Sequence, residues 1–143
     1  MDSKKNVMIS IKGMQEVYSI DDSTDVELLT EGEFYKADGK YYAVYQESDV
    51  TGMEGTTTTV EVDKDKVSII REGTITNQMI FIKDKKTTSY YDTQFGALTI
   101  GVLSDKINVD IDDNGGVIDV GYSLEINDET VGKNQFYISI REA

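Results

Sequence analysis

Arg71 shares strand parity with Val67 and Ile69, so it points where they point, toward the interior. An unpaired guanidinium among apolar side chains costs several kcal/mol or more, so Arg71 needs a carboxylate, a ring of acceptors or a bound anion. Glu47, with the parity of Tyr45 and Ala43, is the carboxylate that the pattern offers. Two roles follow for Arg71. Its forked donors suit the acidic group of a small ligand held inside, or it closes a strand end by a salt bridge to Glu47. Around this pair, Tyr45, Tyr91 and Thr93 offer hydroxyls beside Met79 and Phe81, with Gln78 completing the set. An apolar pocket with a few convergent polar groups is what a ligand site needs. Tyr and Phe also fill small barrels, so the same residues serve as ordinary core. A catalytic alternative uses Glu47 as acid or base with Arg71 and Tyr91 positioning substrate. It requires burial to raise the carboxylate pKa. No catalytic residue is assigned, and a binding role without catalysis is the expectation.

Composition narrows the chemistry. The 143 residues contain no His, Cys, Trp or Pro. That excludes Ser-His-Asp and Cys-His catalysis, thiolate or imidazole zinc sites and disulfides. With 14 Lys plus Arg against 27 Asp plus Glu, the formal charge is −13. Such a chain repels phosphate backbones and anionic membranes, so neither nucleic acid nor membrane is an expected partner. Asp110-Ile111-Asp112-Asp113-Asn114-Gly115 matches the first half of a calcium loop, but Gly121 stands where the bidentate carboxylate is due. Asn-Gly is a strong hairpin signal, so a turn is expected there and no metal or cofactor. Thr51-Gly52-Met53-Glu54-Gly55 lacks the Lys and helix of a phosphate loop and reads as a rim connection. Two lysines near the start precede no apolar block, and no run of ~20 apolar residues spans a bilayer. A cytoplasmic location is expected.

The elements that must position these residues are strands. Period-two alternation runs through Val7–Ile11, Val26–Phe34, Ile107–Asp112, Ile118–Ile126 and Phe136–Ile140. Further strands are expected at Tyr41–Ser48, Thr56–Val62, Val67–Glu72, Gln78–Ile82, Thr87–Thr93 and Leu98–Leu103. Asp38-Gly39, Asp113-Asn114-Gly115-Gly116 and Asn127-Asp128 supply residues that tolerate positive φ, as tight hairpins need. Thr24 and Glu27 would cap a competing helix, which Gly32 stops within about two turns. Uniformly tight connections favour an antiparallel up-and-down β-barrel, closed or nearly closed, of about 8–11 strands. The expected unit is one domain over residues 1–143, with residues 1–5 a disordered start.

Thr30-Glu31-Gly32, Tyr41-Tyr42-Ala43-Val44-Tyr45-Gln46-Glu47-Ser48 and Thr51-Gly52-Met53-Glu54-Gly55 occur in an order that resembles the YwiB-like family of small bacterial proteins. The likeness continues through Arg71-Glu72-Gly73, Gln78-Met79-Ile80-Phe81 and Tyr91-Asp92-Thr93-Gln94-Phe95-Gly96. It implies a lipocalin-like, calycin-type all-β barrel and no established activity. The chain lacks the Trp of the early lipocalin Gly-x-Trp signature. The function expected is a module holding a small, partly apolar ligand with an anionic group. The alternative is a protein–protein interaction domain with a filled interior, in which Tyr18, Tyr35, Tyr42 and Tyr90 face outward; the identity of any protein partner is not legible.

Overall fold

A computed structural model describes residues 4–13, 27–48, 54–64, 66–74, 76–93 and 96–143, without the side chains of 91–93. Ten strands form one sheet: β1 (Lys5–Lys12), β2 (Glu27–Ala37), β3 (Lys40–Gln46), β4 (Thr56–Asp63), β5 (Lys66–Gly73), β6 (Asn77–Ile82), β7 (Lys86–Thr93), β8 (Gly96–Asp112), β9 (Gly115–Ile126) and β10 (Glu129–Glu142). Their order is β6-β5-β4-β3-β2-β1-β10-β9-β8-β7. Sequence neighbours other than β6 and β7 pair antiparallel, and β1 joins β10, so the strands form an up-and-down meander bent round until the two edges of the sheet almost meet. Lys5 opens β1, so the disordered start expected through residue 5 gives way to a paired strand at its last position.

The seam lies between β6 and β7. The backbone ladder there shrinks to isolated bridges, Ile82 to Lys85 and Lys83 to Ser104. Side chains take over: the Thr87 hydroxyl donates to the Ile80 carbonyl, and Ser89 Oγ donates to the Gln78 carbonyl at 2.6 Å. The result is a nearly closed barrel whose last joint is made by hydroxyls. This satisfies part of the edge that an open sheet would expose.

Local chemistry explains the rest. Asp38 and Gly39 adopt φ of 54° and 78°, and Asn127 and Asp128 adopt 51° and 69°. These are the two-residue hairpin conformations that match strand twist. Where two strands are expected at Leu98–Leu103 and Ile107–Asp112, the structure has one, the 17-residue β8. Its pairing with β9 shifts between Ser104 and Lys106. This bulge inserts one residue, so inward parity passes from Ile100 and Val102 to Ile107 and Val109. The parity flip mimics a strand break. Val26 and Thr24 lie outside the described residues; Glu27 is strand.

The inward residues form one core that includes Val7, Ile9, Phe34, Val60, Val67, Ile100, Ile118 and Ile138. At its centre Phe81 meets Tyr122 and Phe136, each at 5.1 Å between ring centroids and edge to face. One end of the barrel is bridged by the β8–β9 turn. Tyr41, stacked on Phe34, donates from its hydroxyl to Asp113 Oδ1 at 2.8 Å, and Lys5 Nζ donates to the Asp113 carbonyl. Among the described residues no helix is long and apolar enough to cross a membrane.

Candidate functional site

At the opposite end, hairpin register assembles a polar row. Tyr45 stands opposite Thr58, Thr58 opposite Arg71, and Arg71 opposite Asn77. Four consecutive strands, β3 to β6, thus contribute one residue each. The parity is inward, because Tyr45 continues from Ala43, Thr58 from Val60, Arg71 from Ile69, and Asn77 leads to Met79. Glu47 follows just past β3, one step nearer the barrel end. Its backbone N–H donates to the Thr56 carbonyl at 2.8 Å, fixing the carboxylate over the row.

Glu47 is only 6% exposed. Thr58 Oγ1 donates to its Oε1 at 2.7 Å, and Tyr45 is hydrogen-bonded into the same network. Glu47 Oε2 is buried without a hydrogen-bond partner, and so is Asn77 Oδ1. Buried acceptors are normally satisfied, so two such atoms in one row mark an unusual place. Burial pushes the Tyr45 phenol well above its ordinary pKa, and the Glu47 charge adds to the rise while Arg71 opposes it. Tyr45 therefore stays protonated at neutral pH and offers a donor, not a base.

Of the residues picked from sequence, Tyr45, Glu47 and Arg71 come together in this cluster. Met79 and Phe81 are buried deeper along β6, Phe81 within the aromatic triad. Gln78 corrects the reading: it is exposed on the opposite face of β6 from Met79, as strand alternation requires. Tyr91 and Thr93 lie on β7 opposite Leu98 and Gly96, and their side chains fall outside the described residues. The hydroxyls of Thr58 and Tyr45 serve Glu47, and no donor reaches Oε2, so Arg71 does not hold that oxygen. Thr58 and Asn77 were missed from sequence. Their parity with Val60 and with Met79 was the signal that marks them as inward.

The other motifs resolve simply. Asp110–Gly115 is the β8–β9 hairpin, where Asp112 Oδ1 accepts from the Asn114 N–H at 2.8 Å. The described residues hold no group of three or more carboxylates set to bind a metal ion. Residues 51–53 of the glycine loop, and Tyr18, lie outside the described residues. Tyr90 is 75% exposed, whereas Tyr35 and Tyr42 stack on each other at 5.0 Å and are half-buried on the outer face.

Residues 9–138 match the family described as Domain of unknown function (DUF1934). The chain is 28% identical over 105 residues to the uncharacterized beta-barrel protein YwiB of Bacillus subtilis (strain 168), covering 73% of this chain and 72% of that protein. It is also similar to the crystal structure of ywiB protein from Bacillus subtilis, with a TM-score of 0.71 and 17% sequence identity. That likeness covers 99% of this chain and 93% of that one, and it bears on fold.

Proposed function

The chain belongs to the YwiB-like, DUF1934 family of β-barrels, and from that premise we propose that it is a non-catalytic module binding a small, partly apolar ligand. The ligand sits at the barrel end where Tyr45, Glu47, Thr58, Arg71 and Asn77 meet. The observation that carries this reading is Glu47 Oε2, a buried carboxylate oxygen without a donor. Leaving such a group unsatisfied costs roughly 1–3 kcal/mol or more, and a ligand N–H or O–H recovers that cost. Arg71 presents forked donors to an anionic group of the same ligand. Tyr45, held protonated, keeps its hydroxyl on the Glu47 carboxylate and helps fix it, and Met79 with Phe81 supplies apolar contact deeper in.

Native mass spectrometry of the freshly purified chain tests this. The expected result is a small-molecule adduct that Arg71→Met loses while its far-UV circular dichroism stays unchanged. An adduct that persists in Arg71→Met and in Glu47→Gln removes both residues from the site. A second reading is a protein–protein interaction module with a filled interior. The Phe81, Tyr122 and Phe136 triad, which occupies the middle of the lumen, favours it. That reading gains if the purified chain carries no adduct.

A further inference from the structure

We propose that residues 105–112 of β8 form a docking edge for an extended segment of another protein in which basic and apolar residues alternate. β7 covers β8 only from Gly96 to Leu103, and Ser104 meets Lys83 through an isolated bridge. Past the bulge, β8 pairs with β9 alone among the described residues. One side of an eight-residue strand segment therefore presents backbone N–H and C=O groups to an incoming chain. An extended peptide adds to such an edge through main-chain hydrogen bonds, and its alternate side chains set specificity.

The two faces of the edge define those side chains. Ile107, Val109 and Ile111 are half-buried and continue the core, whereas Asn108, Asp110 and Asp112 are exposed. A strand laid alongside sets apolar residues against the first group and Lys or Arg against the second. Beside the edge lies a groove of about 380 Å³ lined by residues that include Lys64, Val109, Asp110, Asp119 and Tyr137. Asp119 is engaged by Lys106 Nζ at 2.9 Å and by Gln135 Nε2 at 2.8 Å. The exposed Asp110 carboxylate and the Tyr137 ring are the groups that meet a cationic side chain seated in the groove. The field of a chain with net charge −13 draws a basic segment to this edge. A second copy is a poor occupant, because antiparallel pairing of two such edges over their full length sets Asp105 of each against Asp112 of the other. Like charges placed opposite each other weaken strand pairing.

The probe is a fluorescein-labelled eight-residue peptide of alternating Lys and Val, titrated against the full chain by fluorescence anisotropy. Saturable binding is expected, with amides of residues 107–111 gaining protection in hydrogen exchange. Asp110→Lys with Asp112→Asn, which keeps a side-chain oxygen for the Asn114 N–H, should weaken binding about tenfold, the sum expected of two exposed ion pairs, with melting unchanged. The same peptide methylated at alternate backbone nitrogens should lose binding, since charge is kept and ladder bonds are removed. Equal binding by the methylated peptide, unchanged affinity of the doubly substituted chain, or no saturable binding overturns the proposal. So does a concentration-dependent dimer in sedimentation that protects residues 105–112 without peptide, because a second copy then owns the edge.

Discussion

Thr58→Val isolates the buried polar network by removing one oxygen. In the folded chain Thr58 is fully buried, and its hydroxyl is 2.7 Å from Oε1 of a carboxylate that is 6% exposed. Hydrogen bonds to charged groups contribute about 1.5–3 kcal/mol. After the substitution Oε1 loses that donor, Oε2 already has none, and the Tyr45 hydroxyl is left as the neighbouring donor. The expected loss is about 2 kcal/mol, which for a chain of this size lowers Tm by roughly 4–8 °C. The informative comparison is with Glu47→Leu. Once the carboxylate is gone, Thr58→Val removes a hydroxyl that serves no charge, and its further cost should fall to a few tenths of a kcal/mol. Urea unfolding followed by far-UV circular dichroism yields all four corners of the cycle; the chain has no Trp to report by fluorescence. A coupling of about 1.5 kcal/mol or more supports the network. If Thr58→Val costs the same with and without Glu47, the hydroxyl does not hold the carboxylate and the site's premise fails.

Two further predictions rest on different parts of the barrel. A Cβ at Gly32 would lie 2.5 Å from the Val44 carbonyl oxygen and 2.6 Å from Ile9 Cδ1. Gly32→Ala should therefore destabilise by about 1–3 kcal/mol despite the better strand propensity of Ala; a urea midpoint equal to that of the unvaried chain would contradict the crowding. The Asp119 carboxyl is held below its ordinary 3.8 chiefly by the Gln135 hydrogen bond, with Lys106 adding to it and burial opposing it. A depressed carboxyl pKa stabilises the fold above the ordinary value and is lost as pH falls through the folded value. Asp119→Asn should lie below the unvaried chain in stability at pH 5 and converge toward it by pH 2. A gap that stays constant across that range rules out the linkage.

Strand alternation made most of the barrel legible, since Val7, Ile9 and Ile11, or Ile118, Val120 and Tyr122, can bury only one face. It misled where geometry departs from strict alternation. The bulge at Ser104–Lys106 flips parity within β8, so the sequence reads as two strands. Gln78 lies on the outer face of β6 by its own parity, while Thr58 and Asn77 carry the inward one. Two features lay beyond any reading of alternation. Which residues stand opposite Arg71 depends on the registers of successive hairpins, and these set Thr58 beside it on one strand and Asn77 on the other. The joint at β6 and β7 depends on hydroxyls reaching carbonyls across the seam, which ordinary strand formers such as Thr87 and Ser89 do not advertise.

The two ends of the barrel are unlike, and the difference constrains any ligand. At one end the β8–β9 turn is tied across by Tyr41 and Lys5 to Asp113. In the middle, Phe81 meets Tyr122 and Phe136 and forms a floor. The ligand proposed above would enter from the polar end, with the aromatic triad as the limit of its reach. Phe81 stands opposite Val67, four residues along β5 from Arg71. At ~3.3 Å per residue the strand path is about 13 Å, and Ile69 and Met79, buried and paired between those two levels, already fill part of it. The ligand proposed for this end is therefore a compact molecule with one anionic group and one N–H or O–H rather than a long acyl chain. Shortening the floor with Phe81→Leu should then admit a longer analogue of a retained molecule, whereas widening the other end by Tyr41→Phe should not.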